Sequence, residues 1–142
     1  MKKIAVLLAA YNGENYIREQ LESLHNQTFQ DFVCYIHDDG SRDGTMDILK
    51  EYENMYPEQF VIMDGTATGS SKANFMFMLD KVIGQYGYYM FCDQDDVWIP
   101  EKIEMLYSRI LQEPEEVPCV VYSDMKVVDE SLHMIADSFA DY

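Results

Sequence analysis

The sequence predicts an α/β domain built on a mostly parallel central sheet with helices on both faces. Ile4 to Ala10 is a continuous apolar run without alternation, the pattern of a strand buried on both sides. Further apolar runs follow, separated by segments whose apolar residues recur at helical spacing. Three polar clusters, Tyr11 to Gly13, Asp38 to Ser41 and Asp93 to Asp96, close such runs at their C-terminal ends, the edge of a parallel sheet where ligands bind.

Each element has its own signal. Tyr11-Asn12-Gly13 breaks the first strand, and Ile17, Leu21 and Leu24 then mark an amphipathic helix. A second strand is expected from Phe32 to His37, stopping at Asp38-Asp39-Gly40-Ser41. Asp43-Gly44-Thr45 opens a helix carrying Ile48, Leu49 and Tyr52, with acids near its positive N-terminal end. Gln59 to Met63 reads as a short third strand. Beyond the loop from Gly65 to Ser71, residues Phe75, Met78, Leu79, Val82 and Ile83 mark a third helix. An aromatic strand then runs into Asp93. Pro100 stands where a first-turn proline belongs, ahead of a helix with Ile103, Leu106, Ile110 and Leu111. Pro118 to Tyr122 is read as a further strand. Met63, Met76, Met78 and Met90 read as core filler.

A chain of 142 residues has the size of one domain, and residues 1–142 are read as one. The apolar content of 48% excludes disorder, and 26 acids against 10 bases give a net charge of −16. Such a surface repels nucleic acid, so no nucleic-acid partner is expected. Cys34, Cys92 and Cys119 are odd in number, without metal-type spacing, and read as reduced core residues of a cytoplasmic protein. Met1-Lys2-Lys3 before Ile4 to Ala10 mimics a signal peptide. The run is short and charged sequence follows at once, so a soluble chain without a transmembrane segment is expected.

The densest chemical signal is Asp93-Gln94-Asp95-Asp96, three carboxylates at the tip of an apolar strand. Like charges packed this closely destabilise the fold unless a cation or hydrogen bonds offset them. A hard divalent cation bridging two phosphates is the fitting partner, because it takes carboxylate and phosphate oxygens together. Two other chemistries match parts of the acidic segments. The segment from Asp39 resembles a calcium loop, but Lys50 stands where a bidentate Glu is required. Asp93, Asp95 and Val97 match the D-x-D-x-V of haloacid-dehalogenase-type phosphatases, with only 46 residues after Asp96 for the rest of that apparatus. The Asp38–Ser41 segment is compatible both with a plain turn and with a carboxylate, Asp39, that accepts the ring N–H of a uracil or thymine base.

Taken together, Leu8 to Gly13, Gln20 to Leu24, Gln27-Thr28-Phe29, Asp38 to Ser41 with Asp43-Gly44-Thr45, and Cys92 to Trp98 resemble the family-2 glycosyltransferases, in order and interval. The form C-D-Q-D-D-V-W is most similar to rhamnosyltransferase-like members. The resemblance implies a GT-A type (nucleotide-diphospho-sugar transferase, Rossmann-like) fold and inverting transfer from a UDP- or dTDP-sugar. The acceptor would be a hydroxyl of a saccharide or lipid-linked saccharide, in surface-polysaccharide synthesis. It implies donor contacts from Ala9, Tyr11, Asp39, Lys72, Asn74 and Asp93, and Mn2+ or Mg2+ held by Asp95 with Asp93. Asp96 is a weaker candidate.

The general base and the acceptor-binding part belong, in that family, to a later portion that this chain is expected to lack. Asp124 stands too early to be assigned as the base. The expected location is cytoplasmic, with attachment to the inner membrane face through other parts or partners, and self-association is expected if apolar surface is left uncovered. A donor-binding module without turnover remains a second reading, and a phosphatase a remote third. His37 and Trp98 are each compatible with a site role and with packing.

Overall fold

The structure, a computed structural model, describes residues 2–141. Met1 and Tyr142 lie outside the described residues, and with Met1 the first residue of the leader-like run. The chain forms two compact units that meet in sequence at Lys102.

The first unit is organised around one strand. β1 (Ile4–Ala10) is buried along its whole length, as an unalternating apolar run requires. It pairs in parallel with β2 (Phe32–Asp38) on one side and β4 (Tyr88–Asp93) on the other. β3 (Phe60–Ile62) adds in parallel to β2, giving the order β3-β2-β1-β4.

Because successive side chains of a strand point to opposite faces, β1 feeds two cores. Ala5, Leu7 and Ala9 pack against Met78 and Val82 of α3 (Ser71–Val82). Cys92, the register partner of Leu8, lies on the other face, where the Gln20 amide of α1 (Ile17–His25) donates to its Sγ at 2.7 Å. α1 buries Ile17, Leu21 and Leu24 at the expected spacing and packs beside α2 (Thr45–Met55). The expected fold class is therefore the one observed, with helices on both faces of a parallel sheet.

Helix starts follow their local chemistry. The Ser70 hydroxyl caps α3 by accepting the Ala73 amide at 3.2 Å. Asp43 accepts both the amide and the hydroxyl of Thr45, at 3.1 and 2.6 Å, at the opening of α2. Pro100 is not at the first helical position. It occupies the second place of a turn closed by Lys102 N donating to the Ile99 carbonyl at 3.1 Å, and α4 (Lys102–Ile110) starts after it.

In the second unit, after α4, β5 (Val127–Val128) and β6 (Met134–Ala136) pair antiparallel, and a 3-10 turn spans Phe139–Asp141. The hairpin is tied by Asp129, which accepts the amides of Ser131 and His133 at 2.8 and 2.9 Å. The strand expected at Pro118 to Tyr122 is not formed. No other described segment pairs with it, and Val120 and Tyr122 are 86% and 88% exposed. An apolar, β-branched run becomes a strand only with a hydrogen-bonding neighbour. Cys119 is exposed for the same reason, so of the three thiols expected in the core only Cys34 and Cys92 are buried there. Met76 likewise faces outward, while Met78 is buried.

The central strand sets a stability test. Leu8→Ala removes a side chain with no exposure from the middle of the sheet. It should lower the unfolding free energy by about 2–5 kcal/mol, read from the midpoint of a urea titration at unchanged slope.

Candidate functional site

Register decides what meets at the C-terminal edge of the sheet. Ala10 lies opposite Asp38 on one side, and Ala9 opposite Asp93 on the other. The chain turns after β1, β2 and β4 therefore converge. Between them and the start of α3 is an open cavity of about 460 Å³.

Six of the seven expected donor or metal residues line this cavity: Ala9, Tyr11, Asp39, Asn74, Asp93 and Asp95. Lys72 does not; it sits exposed in the first turn of α3. Gly69, Ser70, Ser71 and Gln94 complete much of the wall without having been singled out by the sequence. Tyr11 is 54% exposed where it lines the cavity.

The turns are locked to one another by side chains. The Gln94 amide grips the backbone of Tyr11 at two points: its Oε1 accepts from Tyr11 N and its Nε2 donates to Tyr11 O, both at 2.8 Å. This pairing extends the β1–β4 ladder past the last backbone bond. Gly13 leaves the space it needs, since a Cβ there would lie 2.3 Å from Gln94 Oε1. Asn12, at φ 45°, donates its amide to Ser41 Oγ at 2.8 Å and accepts from Arg42 N at 2.9 Å. Gly13 N donates to Thr45 Oγ1 at 2.8 Å. None of these long-range bonds has a local sequence signal apart from the amide and hydroxyl residues themselves.

Asp39 is committed as well. Its Oδ1 accepts the amide and the hydroxyl of Thr68, the latter at 2.7 Å, and its Oδ2 accepts Gly69 N at 2.9 Å. Partial burial pushes the carboxyl up, but the Thr68 and Gly69 donors, helped by His37, outweigh it and hold the group below the usual carboxylate range.

Asn74 lines the cavity with its side chain already engaged. Its Oδ1 accepts from His37 Nδ1 at 2.9 Å, and its Nδ2 donates to the His37 carbonyl at 3.0 Å. His37 is 1% exposed, lies against Phe77 at 4.4 Å between ring centroids, and does not reach the cavity wall. Its Nε2 has no hydrogen-bond partner among the described residues. The pair fixes β2 to α3, so of the two readings of His37 the structure supports packing.

The acidic cluster sets its carboxylates against one nearby base, Lys102. Loss of hydration pushes the Asp93 carboxyl up, and the Asp95 charge adds to this against the pull of Lys102. Desolvation likewise raises Asp96, with Asp93 repelling it and Lys102 drawing it back. Asp93 is exposed as a residue, so water screens much of its interaction. Lys102 was not anticipated, although it is the first base after the cluster. Its ammonium lies 4.4 Å from the centre of the Trp98 ring, and desolvation lowers it despite the neighbouring acids. Trp98 itself is buried and outside the cavity wall.

Among the described residues no three acidic, His or Cys side chains are grouped closely enough to hold a metal ion by themselves. Asp93 and Asp95 nonetheless line the cavity with hard carboxylate oxygens, the donor type a divalent cation takes, and Lys102 offsets the charge of Asp93 only in part. Asp124 belongs to the second unit, where its Oδ1 accepts the amides of Met125 and Phe139 at 2.8 and 3.2 Å.

Comparison with known proteins gives these features a family. The sequence model described as glycosyl transferase family 2 matches residues 5–138. The dTDP-rhamnosyl transferase RfbG of Shigella flexneri is 36% identical over 99 residues, which is 68% of this chain and 34% of that protein. The chain spans well under half the length of the curated relatives it matches. In structure it resembles residues 1–349 of S. aureus TarS in complex with UDP, with a TM-score of 0.64 and 28% identity over 78% of this chain and 32% of that one. It shares its fold with a Pyrobaculum calidifontis mannosyltransferase in complex with GDP-Man and Mn2+, at a TM-score of 0.66 and 17% identity over 76% of this chain and 32% of that one.

Two measurements check this geometry. Gly13→Ala should cost about 1–3 kcal/mol of stability by displacing the Gln94 amide, and most of that cost should vanish in a Gln94→Ala background, as a double-mutant cycle in urea would read. Asp39 has a folded-state acidity stronger than its unfolded one, so its bonds stabilise the fold above about pH 4 and are lost as the pH falls through its folded value. The stability difference between wild type and Asp39→Asn should therefore be largest near neutrality and shrink below about pH 4.

Proposed function

The chain belongs to glycosyltransferase family 2, and on that premise we propose that it binds the pyrimidine nucleotide of a UDP- or dTDP-sugar for inverting transfer to an acceptor hydroxyl. The observation that carries the reading is the convergence of Ala9, Tyr11, Asp39, Asp93 and Asp95 on one cavity at the C-terminal edge of a parallel sheet. The family match displaces the phosphatase alternative for Asp93.

Each residue then has a task suited to its chemistry. The exposed Tyr11 ring and the small Ala9 would flank a flat base, and the Asp39 carboxylate would accept its ring N–H. Asp93 would reach the ribose or a metal-bound water. Asp95, with Asp93, would hold Mn2+ or Mg2+, which when bound neutralises charge on the diphosphate and makes it a better leaving group. Gly69, Ser70 and Ser71 lie across the cavity at the positive end of α3, which favours an anionic ligand.

Transfer requires a base to deprotonate the acceptor, and none of the described residues is assigned that role. The acceptor, a saccharide or lipid-linked saccharide, and a place in surface-polysaccharide synthesis are proposed from the family alone. No helix among the described residues is long and apolar enough to cross a membrane.

Calorimetric titration of UDP and dTDP, with and without Mn2+, tests donor binding. Both nucleotides should bind more tightly with the metal, by about tenfold or more. Asp95→Ala should abolish the metal dependence, and Asp39→Ala should weaken the preference for uracil and thymine nucleotides. A folded wild-type chain that binds neither nucleotide would overturn the reading.

A further inference from the structure

The carboxylate assigned to base recognition is already held by a second chain segment. Asp39 Oδ1 takes two donors, the amide and hydroxyl of Thr68, which occupy both of its lone pairs. Asp39 Oδ2 takes one, the Gly69 amide at 2.9 Å, and so has one lone pair left. Gly69 stands at φ +86°, a conformation that turns its amide toward Asp39 and that a side chain would strain. Asp39 and Gly69 both line the cavity, while half-buried Thr68 does not.

We propose that Thr68 is a specificity-determining positioning residue: its hydroxyl, with the two loop amides, fixes the rotation of the Asp39 carboxylate so that a single acceptor position, on Oδ2, faces the base. The inference rests on the donor-site reading above and goes beyond it by assigning a residue that touches no ligand. A carboxylate free to rotate offers up to four lone-pair positions and can adapt to several donors. With Oδ1 saturated, a ligand meets one acceptor in one place. The imide N–H of uracil or thymine satisfies it. Cytosine presents a lone pair at the same ring position, which the carboxylate repels, and an acceptor left unmatched once the ligand covers it is what gives polar sites their discrimination.

Without the hydroxyl, the two loop amides still tether the carboxylate but hold its rotation less firmly. The same hydroxyl lies 3.2 Å from the Ser70 carbonyl, but it has a single proton, and the shorter contact, at 2.7 Å, is the one to Asp39.

The test compares UDP with CDP on the same protein. Calorimetric titrations in Mn2+ are run on wild type, Thr68→Val, which keeps shape and amide but loses the hydroxyl, and Thr68→Ser, which restores it. Wild type should prefer UDP. Thr68→Val should lose about five- to twentyfold in UDP affinity with little change for CDP, a narrowing of the ratio expected when a hydrogen bond to a charged group is lost. Thr68→Ser should return the ratio to within about twofold of wild type. Thermal unfolding confirms that each variant is folded. If Thr68→Val does not fold, Thr68→Ala carries the same expectation.

An unchanged UDP/CDP ratio in a folded hydroxyl-less variant overturns the inference and leaves the donor site standing. Equal losses for both nucleotides also overturn it, because they indicate a role in loop stability alone. A wild-type chain that binds UDP and CDP equally removes the inference together with the Asp39 base contact, and one that binds neither removes the donor-site reading as well.

Discussion

Everything at the functional end of this protein depends on β1 being buried on both faces and bonded on both edges. Parallel pairing with β2 and β4 fixes Ala10 opposite Asp38 and Ala9 opposite Asp93. A register slip of one residue would turn the faces of β1 inside out, driving Ala5, Leu7 and Ala9 away from α3. The hydrophobic packing on the two faces thus holds the carboxylates in place, although the acids lie outside the core.

Beyond the sheet, control passes from burial to hydrogen bonds. The last residues of each strand lead into turns that have no ladder to follow, and side chains take over: Gln94 to Tyr11, Asn12 to the Ser41–Arg42 turn, Thr45 to Gly13, Asp39 to Thr68 and Gly69. Few of these residues have a chemical role in the proposed reaction. They hold the atoms that do, and the close approach of Gln94 to Gly13 leaves little freedom for change.

Electrostatically the site is held short of neutrality. Lys102, drawn down against Trp98, is the cation that tempers Asp93 and Asp96, yet both acids remain above the ordinary carboxylate range because desolvation and mutual repulsion exceed its pull. In a chain with a net charge of −16 this cluster stays only partly compensated, which fits the divalent-cation chemistry proposed for the cavity. The family relationship gives that chemistry its context.

The sequence by itself determined the fold class, the order of the strands and helices of the first unit, and the convergence of three polar clusters, because burial pattern and periodicity are local properties that chain topology then combines. It also pointed to the family, since motifs in order and at set intervals survive as linear text. It misread Pro118 to Tyr122, where apolar composition without a pairing neighbour leaves the segment exposed. Only the tertiary structure decided that Gln94 braces Tyr11, that Asn74 is spent on His37, that Lys72 lies off the cavity wall and that Thr68 holds Asp39. Those contacts join residues about thirty to eighty positions apart, and a hydrogen bond between side chain and distant backbone imposes no periodicity on the residues that make it.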